Sequence, residues 1–232
     1  MSRPTTIAHV TRIHDHCEDT RSLFLALEKP LKFAPGHFIS IAIPLGDETR
    51  TRPYSIASSL DGGRAIEICF NRVPNGRGVQ WLFDRSVGDA LEFTGPFGTF
   101  MMERAPEVEI GLIAEGTGVA AIRPMIRRAL ESGSQARMHL DYAADRNEHI
   151  LYREELEEWT RRASNFTFET LIAPQEVLYD RLSAIAARRW IDADADRTRQ
   201  FWICGVGAGV SRIRDLLRGA GYERRAVHYE QW

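Results

Sequence analysis

The hydrophobic pattern changes its period once, near residue 103, and that change constrains the fold more than any other feature of the chain. From Ile7 to about Phe100 the apolar residues alternate with period two, as in Ser22-Leu23-Phe24-Leu25-Ala26-Leu27 and His37-Phe38-Ile39-Ser40-Ile41-Ala42-Ile43. Turn signals recur there roughly every eight to twelve residues, the pattern of a small antiparallel barrel, read as six-stranded. After Met102-Glu103-Arg104-Ala105-Pro106, short apolar runs alternate with helical segments. Strands are expected at Val108–Ala114, Met138–Ala143, Phe166–Ile172, Phe201–Cys204 and Ala226–Tyr229, and helices at Met125–Glu131, Leu151–Arg162, Val177–Arg189 and Val210–Arg218. Strict alternation implies a five-stranded parallel sheet covered by helices, with ligands beyond the carboxyl ends of the strands. The domains expected are residues 1–103 and 108–232.

At 232 residues, 44% hydrophobic and 27% charged, the chain is long enough for two domains of about 100 to 125 residues each. A formal net charge of -2 gives no sign of a nucleic-acid partner. Residues Met1 to Arg12 lack a basic-then-apolar secretory pattern, and no apolar run reaches the ~18 residues of a membrane span. The expected location is cytoplasmic. Cys17, Cys69 and Cys204 are odd in number and far apart, which argues against a disulfide framework. It also excludes an iron–sulfur cluster borne by these residues, because about four clustered thiolates are needed. No metal site is expected: His14, His16 and Cys17 read as a solvated strand-to-strand turn.

Three segments point to a function. They are Arg52-Pro53-Tyr54-Ser55, the turn Gly116-Thr117-Gly118, and the terminal Val227-His228-Tyr229-Glu230-Gln231-Trp232. Their order and spacing resemble the ferredoxin–NADP reductase superfamily over nearly the whole chain. The resemblance implies an FAD-binding barrel in the first half and an NAD(P)-binding domain in the second. Arg52 would then pair with the flavin diphosphate, Tyr54 would pack on the isoalloxazine, and Ser55 would hydrogen-bond near the ring nitrogen that receives hydride. Because successive strand residues face opposite ways, Tyr54 and Ser55 serve together only if the ring lies across the edge of the strand. Taken alone, the four residues read equally well as an ordinary edge strand. Asn71-Arg72-Val73-Pro74-Asn75-Gly76-Arg77-Gly78-Val79 looks like the second phosphate loop of the family, with two glycines opening a helix and exposing backbone N–H groups. Val79 stands where a Ser or Thr is usual, so one hydroxyl contact is missing. The flavin set implied is Arg52, Pro53, Tyr54, Ser55, Cys69, Asn71, Gly76, Arg77, Gly78 and Val79.

In the second half, a strand leads into Glu115-Gly116-Thr117-Gly118, a turn that lets a pyrophosphate approach the backbone. Glu115 places a negative charge near the expected diphosphate. Pro124 is expected to interrupt any helix begun at Gly118, so that helix is placed about one turn later. Cys204-Gly205-Val206 resembles the Cys-Gly segment of the family, which would bring the Cys204 thiol near the nicotinamide; a packed apolar Cys is the alternative. Asp145 sits where the family often has Arg, and Ala173-Pro174 replaces a phosphate-reading Ser-Arg pair, so NADH is favoured over NADPH. Arg146 is a cation that could still meet a 2′-phosphate. Trp232 would cover the flavin, and Glu230 would place the carboxamide or relay a proton.

The function implied is an FAD-dependent NAD(P)H reductase passing single electrons to an external carrier, a ferredoxin, a flavodoxin or an oxygenase component. The alternatives are a flavin or ferric reductase with a diffusible acceptor, and a non-catalytic electron-transfer subunit.

Overall fold

The computed structural model describes residues 5–58 and 61–232; residues 1–4 of the polar N-terminus lie outside the described set. The chain divides into two compact units, one running up to Glu103 and including Arg123–Met125, the other formed by Arg104–Ile122 and Ile126–Trp232.

The first unit is an antiparallel sheet of β1 (Thr6–Cys17), β2 (Thr20–Leu27), β3 (Phe38–Leu45), β4 (Glu48–Ser55), β5 (Ala65–Asn71) and β6 (Ala90–Phe97), in the order β4-β3-β6-β1-β2-β5. Period two sets the core: Leu23, Leu25 and Leu27 of β2 and Ile39, Ile41 and Ile43 of β3 all face inward and are buried. The six expected strands are present, although between β4 and β5, the two end strands, the backbone pairing among the described residues is the isolated bridge Ile56↔Ile68 just beyond β4. A short helix, α1 (Arg77–Phe83), buries Leu82 and Phe83 against the same core. His14, His16 and Cys17 lie within β1 and not in a turn. The reason is that the reversal needs only Glu18 and Asp19, after which Thr20 pairs with Cys17.

The second unit is wholly parallel, ordered β11-β10-β7-β8-β9. Its strands are β7 (Ile110–Glu115), β8 (Met138–Ala144), β9 (Phe166–Ile172), β10 (Gln200–Gly205) and β11 (Val227–Gln231). The helices between them are α2 (Val119–Glu131), α3 (Arg153–Arg162), α4 (Gln175–Ala187) and α5 (Ala208–Gly219). All six residues of β7 are buried, as a central strand covered on both faces requires. The chain winds from β7 out to β9, then returns to place β10 on the other side of β7. That reversal makes β7 and β10 the switch point, where parallel sheets open a crevice at their carboxyl ends.

The late start expected for α2 is corrected. The helix begins at Val119 and carries Pro124 inside it. Proline removes one N–H bond, to a carbonyl in the first turn. Val119, Ala120, Ala121, Ile122, Met125 and Ile126 are all fully buried, and burial of about 0.8 kcal/mol per methylene outweighs a single missing bond.

Candidate functional site

Arg52 and Tyr54 lie two residues apart on the end strand β4 and so point to the same side. Both line a groove of about 400 Å³ with Asn75, Gly76, Arg77, Gly78 and Val79. The edge position meets the condition set by strand geometry for a ring to lie across β4. Arg52 is exposed; its Nη1 donates to the Thr51 carbonyl at 2.9 Å, and a guanidinium has further donors for an anion. Tyr54 is half-buried, its ring 5.8 Å edge-on from Phe70. Burial pushes its phenol up to about 12, so it presents a flat, neutral face.

Gly78 and Val79 lie in the first turn of α1, where backbone N–H groups have no partner from a preceding turn. The Val79 side chain packs against the apolar core, giving packing where the resemblance leads one to expect a hydroxyl. The remaining residues of the flavin set do not line this groove. Pro53 and Ser55 pair with Ser40 and Phe38 of β3. Cys69 is buried in β5 opposite Ser22, and Asn71 is exposed, its amide 3.4 Å from the Arg72 carbonyl.

In the second unit, the switch point collects the other group. Gly116-Thr117-Gly118 forms one tight turn between β7 and α2. Gly116 has φ +52°, and a Cβ on Gly118 would lie 2.3 Å from the Cys204 carbonyl oxygen, so the turn is pressed against the end of β10. Cys204 is 1% exposed. Burial, and next the Glu230 charge, push its thiol far above the usual range, which keeps it neutral. Glu230 stands opposite Cys204 in the β10–β11 register. Trp232 is tied at its backbone, its N–H donating to Gly205 O at 3.1 Å and its carbonyl accepting from Gly207 N–H at 3.2 Å, while the residue stays 40% exposed.

Glu115 does not face the turn as a free charge. Its Oε2 accepts from Val206 N–H at 2.9 Å and from the Tyr179 hydroxyl at 3.1 Å. Burial raises its pKa against those two bonds. Sequence reasoning missed Tyr179, which α4 delivers onto the glycine run: a Cβ on Gly209 would lie 2.0 Å from its ring and one on Gly205 2.8 Å from its hydroxyl. The glycines themselves were the available signal, since each marks a close neighbour, but nothing local names that neighbour.

Asp145 and Arg146 follow β8. Here the structure adds two residues that the sequence did not single out, His149 and the fully buried Tyr142. The Tyr142 hydroxyl accepts from Leu151 N–H at 3.0 Å and lies 3.1 and 2.9 Å from the carbonyl oxygens of Gly116 and His149. It therefore ties the glycine turn to the loop carrying Asp145.

Comparison with known proteins agrees with this division. Residues 7–102 match the oxidoreductase FAD-binding domain and residues 112–212 the oxidoreductase NAD-binding domain. Ferredoxin–NADP reductase B of Sorangium cellulosum is 31% identical over 212 residues, covering 88% of this chain and 87% of that protein. The reductase component of propane 2-monooxygenase from Rhodococcus jostii is 27% identical over 96% of this chain, which spans 62% of that protein's length. The crystal structure of the Amycolatopsis cytochrome P450 reductase GcoB superposes with a TM-score of 0.84 at 25% identity, over 100% of this chain and 71% of that one. With both sheets, both domain matches and a relative aligned across most of its length, the chain belongs to the ferredoxin–NADP reductase superfamily.

Proposed function

We propose that this FAD-dependent NAD(P)H reductase takes hydride from NADH and passes electrons singly to a separate protein carrier, a ferredoxin, a flavodoxin or an oxygenase component. The observation that carries the reading is the single groove into which Arg52, Tyr54 and Gly76–Val79 converge. A cation, a flat neutral ring and backbone donors are what a flavin diphosphate and its ring require, so these residues fit FAD. When bound, FAD supplies the conversion of a two-electron hydride into single electrons.

The chain's own residues supply placement. Arg52 neutralises the diphosphate, Tyr54 presents its face, and Ser55 is the hydroxyl proposed for the ring. Gly116–Gly118 admits the pyrophosphate of the nicotinamide dinucleotide, and Glu115 does not repel it freely because two donors hold its carboxylate. Cys204, kept neutral by burial, adds no charge beside the nicotinamide. Glu230 is the carboxyl proposed for carboxamide placement or proton relay, and Trp232 the proposed cover. The carrier rests on the relatives, one a ferredoxin–NADP reductase and one a reductase component of a monooxygenase. The three free cysteines support a reducing compartment, and we place the protein in the cytoplasm; no described helix is long and apolar enough to cross a membrane.

The test is a visible spectrum of the purified protein followed by anaerobic NADH and then NADPH. Bound flavin bleached by NADH first is the expected result. Flavin that separates on gel filtration favours the diffusible-acceptor reductase. A protein that stays colourless after incubation with FAD overturns the reading.

A further inference from the structure

The loop after β8 holds a closed clasp of four side chains. Arg146 Nη2 lies 2.8 Å from His149 Nε2, and its Nη1 lies 2.9 Å from Glu148 Oε1. His149 Nδ1 in turn lies 2.5 Å from Asp145 Oδ1. A guanidinium can only donate, so Nε2 accepts, the imidazole proton sits on Nδ1, and His149 donates to Asp145. The fourth contact, Arg146 Nε to Asp145 Oδ2 at 3.7 Å, closes the ring. The His149 side chain is 16% exposed, whereas those of Asp145, Arg146 and Glu148 are 38% to 54% exposed. The imidazole is thus the fixed member, and its carbonyl is held by the buried Tyr142.

This arrangement bears on both residues that compete for the adenine ribose. A carboxylate accepts from a free 2′-OH, and a guanidinium pairs with a 2′-phosphate. In the clasp the carboxylate is held by a donor at one oxygen, and the guanidinium has its nitrogens committed to His149, Glu148 and Asp145. We propose that His149 is the positioning residue that sets selectivity for the unphosphorylated ribose, by presenting Asp145 and holding Arg146 back. This rests on the reading of Asp145 as the ribose acid.

Binding of ADP-ribose and of 2′-phospho-ADP-ribose, measured by titration calorimetry, separates the two ideas without using flavin reduction. The wild type is expected to prefer ADP-ribose, and Asp145→Ala to lose that preference. His149→Ala should move the affinity ratio about tenfold toward the phosphorylated ligand, the scale of one lost hydrogen bond to a charged group. Glu148→Gln, at an exposed position, should move it the same way by loosening Arg146. His149→Gln, whose amide both donates and accepts, should restore most of the wild-type ratio, which a purely structural role would not. Adding Arg146→Met to His149→Ala should remove the gain for the phosphorylated ligand. In NADH turnover the His149→Ala change should fall on KM more than on kcat.

A wild type that prefers the phosphorylated ligand, or an Asp145→Ala variant that keeps the wild-type ratio, overturns the ribose-acid reading and the clasp with it. If Asp145→Ala loses the preference but His149→Ala and Glu148→Gln both leave the ratio unchanged, the Asp145 reading stands and the role of His149 is overturned. Should His149→Ala fail to fold, Glu148→Gln and His149→Gln decide alone: a shift in the first with retention in the second supports the clasp, and no shift in Glu148→Gln overturns it.

Discussion

Gly116 and Gly118 share one turn and are glycine for different reasons. At Gly116 the backbone is left-handed, with φ +52° and open space where a Cβ would be. Alanine there is expected to cost about 1 to 2 kcal/mol from backbone strain alone. At Gly118 the conformation is ordinary, but a Cβ would sit 2.3 Å from a main-chain oxygen of β10. Gly118→Ala must push the glycine turn away from the end of β10, so we expect the larger loss, about 2 to 3 kcal/mol and several degrees in thermal melting. A Gly116→Ala variant that melts below Gly118→Ala would refute the assignment. Arg52→Ala removes one of the exposed cations of the flavin groove while touching little else. Loss of a charge-assisted bond of about 1.5 to 3 kcal/mol predicts FAD held roughly ten- to a hundredfold more weakly, checked by flavin content after dialysis. At this scale contiguous motifs, such as the one holding Arg52 and Tyr54 and the one at Gly76–Val79, single out residues that the fold brings to one groove. The sequence was illegible where the partner is remote. Glu115 looked like an unscreened charge because Tyr179 and Val206, its two donors, reach it only through the fold.

Among the elements, β1 carries an acid-sensitive group. His16 donates from Nε2 to Ser22 Oγ at 2.9 Å, and Ser22 donates to the buried Glu67 at 2.8 Å. Burial lowers the His16 pKa from 6.5 to about 4; the His14 and Arg123 charges act in the same direction, and Glu67 and Asp15 oppose them. The unfolded chain therefore binds a proton between pH 6.5 and about 4 that the folded chain does not. Stability is full above that window and falls as pH drops through it. His228, also lowered mainly by burial, adds a change of the same sign. Lowering the pH from about 7 to about 5 should reduce the urea midpoint less in His16→Gln than in the wild type; equal reductions would show that His16 titrates normally. Placing His16 in a solvated turn hid this behaviour, because period-two alternation fades in exposed β1 and the reversal takes only two residues. The strand and helix types of the second unit were plain by contrast, since each apolar run there is short and separately bounded. Only α2 was misplaced, where a local proline rule yielded to complete burial of the helix.

For the whole molecule the open question is where electrons go. The chain binds dinucleotides in two units of different architecture, which the change of hydrophobic period makes legible, but the acceptor leaves no motif because a docking surface has no required spacing. The cysteines do limit the answer. Cys17, Cys69 and Cys204 are three thiols on three different strands, fewer than the roughly four ligands that a cluster takes. Electrons leaving the flavin of this chain therefore do so without a cluster held by these three cysteines. Ferricyanide, a small one-electron acceptor, should be reduced by NADH with the chain alone. Cytochrome c should be reduced slowly until a ferredoxin is added, and then several-fold faster. If the ferredoxin docks through complementary charge, that gain should shrink as salt rises and the screening length falls from about 10 Å toward about 3 Å. A gain produced equally by free FAD would identify a diffusible acceptor and remove the protein carrier from the proposal.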